Sequence, residues 1–92
     1  METVYCITKN EKGCSLSFEG DHDGFLESVA AYIFSVLEKL KDLNRTEICL
    51  ECKYKIVLEK DDLSTRYFNL VGPGGIVYAR IKQKNENVLI YY

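Results

Sequence analysis

Apolar and polar residues alternate along most of this chain, and one long helical period interrupts the alternation. Thr3-Val4-Tyr5-Cys6-Ile7-Thr8 is rich in β-branched and aromatic residues and predicts a strand. Lys9-Asn10-Glu11-Lys12-Gly13 is a polar turn ending on glycine. Cys14-Ser15-Leu16-Ser17-Phe18 then alternates strictly, which places Cys14, Leu16 and Phe18 on one face. The two segments predict an amino-terminal hairpin.

A breaker-rich acidic stretch follows, Glu19-Gly20-Asp21-His22-Asp23-Gly24. Asp21 or Asp23 is suited to cap a helix, and acids near a helix start are favoured by its dipole. The helix is predicted from about Gly24 to Leu43, with Leu26, Val29, Ala30, Ile33, Leu37 and Leu40 as its buried stripe. Phe25, Tyr32, Val36 and Leu43 widen that stripe on one side and Phe34 on the other. The apolar arc reaches about 200°, more than one flat sheet contact needs. Either the sheet curls around the helix, or a rim carrying Tyr32 and Phe34 meets a partner or a second copy.

From Glu47 to Glu59 the alternation runs without a glycine, proline or asparagine. It reads as one long, half-buried strand with room for a bulge or bend near Lys53. Ile48, Leu50, Cys52, Tyr54, Ile56 and Leu58 share its inward face. A turn at Asp61-Asp62-Leu63-Ser64, a strand over 65–71, the breaker Gly72-Pro73-Gly74-Gly75, a strand over 76–82 and a last strand at Val88-Leu89-Ile90-Tyr91-Tyr92 complete the chain. The expected fold is a single α+β domain spanning 1–92, with one amphipathic helix packed on a mostly antiparallel sheet in the order β-β-α-β-β-β-β. A β-β-α-β order resembles that of β-grasp and roadblock-like domains, at the level of architecture only.

Composition narrows the classes. Ninety-two residues, 47% apolar and 28% charged, describe one ordinary globular domain and exclude a disordered or fibrous chain. A net charge of −2 excludes a wholesale basic nucleic-acid binder. No apolar run reaches membrane-spanning length and no signal peptide opens the sequence, so a cytoplasmic protein without a membrane partner is expected. In that compartment the four cysteines (Cys6, Cys14, Cys49 and Cys52) are expected as reduced thiols packed like small hydrophobes.

The chemistry-bearing motifs read as structure. Cys49-Leu50-Glu51-Cys52 has the spacing of a zinc or redox pair, but positions i and i+3 of a strand face opposite ways. The acids of 19–24 echo a calcium loop, yet Ala30 stands where its bidentate glutamate belongs. Gly72-Pro73-Gly74-Gly75 lacks the lysine and helix of a phosphate loop. His22, the only histidine, has no nucleophile setting. No enzyme, metal or cofactor is expected.

Charge is the most informative feature. Residues 1–52 carry five cations against ten acids, and residues 53–92 seven against four. The expectation is a small protein-binding module, an adaptor or an inhibitor that masks a site on another macromolecule. It would act through Glu19, Asp21, Asp23 and Glu27 toward a basic surface, with Tyr32 and Phe34 as apolar anchors; a homodimer is also compatible. The alternative is RNA or single-stranded nucleic-acid binding through a sheet face carrying Lys53, Lys55, Tyr78, Arg80 and Lys82.

Overall fold

The helix and strands share one apolar core, to which every strand but one contributes buried side chains. The computed structural model describes residues 3–51 and 53–91. Among these, seven strands and one α-helix follow in the order β1 (Val4–Asn10), β2 (Gly13–Glu19), α1 (Gly24–Asp42), β3 (Glu47–Leu50), β4 (Tyr54–Asp62), β5 (Thr65–Val71), β6 (Val77–Lys84) and β7 (Asn87–Tyr91). All pair antiparallel in one sheet of order β2-β1-β7-β6-β5-β4-β3. The α+β class and the single helix on an antiparallel sheet are as the pattern predicts. Among the described residues no helix is long and apolar enough to cross a membrane.

One predicted strand is two. The run from Glu47 folds back between Leu50 and Tyr54 into the β3–β4 hairpin, with Glu51 in the left-handed region (φ 50°) and the Lys53 N–H donating to the Leu50 carbonyl at 3.3 Å. Leu50 sits opposite Tyr54, and Ile48 opposite Ile56. A loop with an odd number of residues restores the same face on return, so the alternation passes through the turn unbroken. Cys52 lies outside the described residues.

The sheet curls. The helix touches β1 and β7 on one side and β3 on the other. In a flat sheet β1 and β3 would be five strand spacings apart, about 24 Å, beyond the reach of a helix about 10 Å wide. Curling therefore accounts for the broad apolar arc. Leu26, Val29, Ala30, Ile33, Phe34, Leu37 and Leu40 are all buried, while Ser28, Ala31, Ser35, Glu38 and Lys39 face outward. Facing them from the sheet are Tyr5, Ile7, Leu50, Ile56, Phe68, Leu70, Ala79, Ile81, Val88 and Ile90. Phe25, Tyr54 and Tyr78 close one end of the core, with ring centroids 4.3 to 5.9 Å apart.

Strand β2 is the exception. All seven of its residues are exposed, because it lies beyond the span of the helix. Leu16 and Phe18 are on the helix side of the sheet, opposite Ile7 and Tyr5, yet remain 43% and 46% exposed. Only the Phe18 ring finds cover, stacked on Tyr5 at 5.4 Å.

Candidate binding surfaces

The acidic stretch is partly consumed by folding. Asp23 is the N-cap of α1; its Oδ1 accepts from the Phe25 and Leu26 N–H groups, both at 3.0 Å. Its Oδ2 accepts from the Tyr78 hydroxyl at 2.7 Å. The Asp23 N–H donates to the Tyr5 hydroxyl, which in turn donates to the Asp23 carbonyl, at 2.8 and 3.0 Å. His22 Nε2 pairs with a Glu27 carboxylate oxygen, and its ring stands edge-on to Phe18. The Asp21 carbonyl accepts from the Thr3 hydroxyl at 2.8 Å. Of the four predicted acids, Glu19 and Asp21 are the ones whose side chains are exposed and held in none of these contacts.

The helix-rim anchors do not form a rim. Phe34 is 8% exposed and belongs to the core, and Tyr32 is half-buried against it. Burial, with a smaller contribution from Glu51, raises the Tyr32 hydroxyl pKa above its ordinary value. The curled sheet covers what a flat one would have left open. Apart from Leu43, the C-cap of the helix, the large exposed apolar side chains among the described residues lie elsewhere: Leu16 and Phe18 on β2, Leu63 in the β4–β5 turn, and Ile76 and Val77 at the start of β6. The alternation puts Leu16 and Phe18 on one face, as the structure has them, opposite Ile7 and Tyr5; it carries no sign that the helix stops short of them.

The basic face exists in altered form. Arg80 and Lys82 of β6 stand on the helix-free face of the sheet, and Lys55 of β4 joins them through the register Lys55–Val71, Asn69–Arg80. Lys84 extends the same row. Tyr78 does not share it. A register shift opposite Leu70 and Val71 turns Tyr78 to the helix side, where it reaches Asp23 and Phe25. Lys53 also leaves the face, because it lies in the β3–β4 turn. The aromatic partners of the row are instead Tyr91, opposite Arg80, and Tyr67, opposite both Lys82 and Lys60. The Lys82 ammonium lies 5.9 Å from the Tyr67 ring centroid. Leu89 and Cys6 flank the row on one side, Asn69 and Val57 on the other, all half-buried. Asn69 Oδ1 is enclosed without a hydrogen-bond partner among the described residues.

The cysteines depart from expectation. Cys6 is half-buried, but Cys14 and Cys49 are exposed, one on the outlying strand β2 and one on the edge strand β3. The described residues contain no group of three or more His, Cys, Asp or Glu side chains placed to hold a metal. An open cleft of about 460 Å³ lies at the carboxyl end of α1, lined by Leu40, Arg45, Leu58, Asp61, Leu63 and Arg66 among others. Arg66 sits over the Phe68 ring at 5.1 Å, and its enclosed Nε lies 3.9 Å from Asp61 Oδ2, an ion pair too long to be a hydrogen bond. Comparison with family models, with curated proteins and with solved structures finds no match to this chain.

Proposed function

We propose that this chain is a non-enzymatic protein-binding module, an adaptor or inhibitor whose helix-free sheet face docks an acidic patch of a partner protein. The observation that carries the reading is the stripe in which Arg80 and Lys82 stand between Tyr91 and Leu89 on one side and Asn69 and Tyr67 on the other. Arginine and tyrosine set among apolar side chains are the composition of interface cores. Exposed cations beside them supply complementarity and speed association with an acidic partner. The acidic loop offers a basic partner only the smaller pair Glu19 and Asp21.

Single-stranded nucleic acid is the second reading, favoured by Tyr67 lying between Lys60 and Lys82. Such an arrangement suits a stacked base with its phosphates on either side. Against it stand the net charge of −2 and the acids Glu19 and Glu47 on the two edge strands.

Affinity capture from the native host, comparing the wild type with an Arg80→Glu/Lys82→Glu variant, tests the proposal. A protein retained by the wild type and lost by an equally stable variant supports it. Capture unaffected by the double reversal removes it. Oligonucleotide retention that falls steeply with rising salt transfers the face to the second reading.

A further inference from the structure

The outer edge of β2 is an unguarded strand edge. The Lys9 N–H donates to the Glu86 carbonyl at 2.9 Å, on the β7 side of β1. Successive residues of a strand aim their backbone groups to opposite sides, so Val4, Cys6, Thr8 and Asn10 aim theirs at β2. Their register partners Glu19, Ser17, Ser15 and Gly13 bond back to β1. The N–H and C=O groups of Cys14, Leu16 and Phe18 therefore point away from the sheet.

Natural edge strands are blunted by shortness, lysine, proline, bulges or inward charges. At the opposite edge β3 is only four residues long and begins with Glu47. Strand β2 is seven residues long and pairs with β1 without a register shift. Its one charged side chain, Glu19, is at its end.

We infer that β2 is a homodimer edge, two copies pairing β2 to β2 antiparallel about a two-fold axis through Leu16. The segment Cys14-Ser15-Leu16-Ser17-Phe18 is a near-palindrome of apolar and hydroxyl positions about Leu16, as an isologous interface requires. In this register Leu16 meets the second copy's Leu16, and Cys14 meets the second copy's Phe18. All three outward-facing residues form hydrogen-bonded pairs. On the helix side the exposed Leu16 and Phe18 side chains merge into one apolar strip. On the other side Ser15 faces Ser17 of the second copy. No like charges are opposed, because Glu19 falls opposite Gly13, next to Lys12. Moving the axis by one residue leaves one outward-facing residue unmatched at the end of each strand. The product is a continuous sheet with both helices on the same side.

Sedimentation of the full chain at increasing concentration is the first test. A species of twice the 10.6 kDa chain mass is expected, and Leu16→Lys, which sets two ammonium groups face to face, should return it to monomer. The register is read with single cysteines in a chain whose four native cysteines are replaced by serine. Oxidation should join Leu16→Cys chains to one another, since hydrogen-bonded pairs lie about 5.5 Å apart at Cα, within disulfide reach. Ser15→Cys, which faces Ser17, should not cross-link to itself. A wild type that stays monomeric, a dimer indifferent to Leu16→Lys, or faster cross-linking through Ser15→Cys than through Leu16→Cys would each overturn the inference.

Discussion

The Tyr78 hydroxyl donates to Asp23 Oδ2 at 2.7 Å, and through that bond strand β6 holds the first turn of the helix. Asp23 is at once N-cap and acceptor from a strand distant in sequence. Asp23→Ala removes a cap worth about 1 kcal/mol and an acceptor worth about 1–2 kcal/mol more. Tyr78→Phe is expected to cost about 1 kcal/mol. The double variant should cost less than the two together, since both singles break the same bond. Urea titrations of the three variants measure the coupling. Strict additivity would mean the bond contributes nothing.

Phe34 separates a core role from a binding role. It is 8% exposed and packs among Ile33, Leu37 and the sheet, so Phe34→Ala should lower stability by about 3–4 kcal/mol. Leu63, which is fully exposed, should tolerate the same truncation within about 0.5 kcal/mol. A Phe34→Ala protein that melts like the wild type would return this side chain to the surface.

Two neighbouring glycines set the approach to β6. Gly74 and Gly75 have φ of 79° and 78°, in the left-handed region, with open space where a Cβ would stand. Alanine at either site should cost about 1 kcal/mol through backbone strain alone. Asparagine, which tolerates this region better, should cost less. Equal losses for both substitutions would implicate a steric contact instead.

Alkaline pH should destabilise the fold. Burial favours the neutral Tyr32 phenol, raising its folded pKa above the ordinary 10.0. The Glu38 carboxylate, 2.9 Å from the Lys9 ammonium, likewise raises the Lys9 pKa above 10.5. In each case the folded state holds the proton more tightly. The contribution is complete below the ordinary pKa and is lost as pH climbs through the folded one. Melting temperature should fall above about pH 10, and Tyr32→Phe should make the fall shallower. An unchanged slope in Tyr32→Phe would assign the loss elsewhere.

Local pattern carried the helix almost to the residue: the expected span of about Gly24 to Leu43 compares with Gly24–Asp42, capped by Asp23. Strand faces were equally legible at Ala79 and Ile81, which alternate with Arg80 and Lys82. Three features were not. The β3–β4 turn keeps the alternation in phase, so no break in periodicity marks it. The register shift at Tyr78 depends on its pairing with Leu70 and Val71, which is tertiary information. The exposure of Leu16 and Phe18 depends on how far a helix reaches across a curled sheet. The basic row was half legible for the same reason: Lys55, Arg80 and Lys82 follow from alternation, while Tyr67 and Tyr91 join them only through strand order.

A sheet wrapped around its helix has a convex back. The stripe of Arg80 and Lys82 lies on β6, the central strand in the order, and so rides along the crest. A planar partner would graze that ridge along little more than one strand. A stable complex on this side calls for a grooved or cupped counterpart whose walls descend past Tyr67 and Tyr91, so shape as well as acidity narrows what the face can hold.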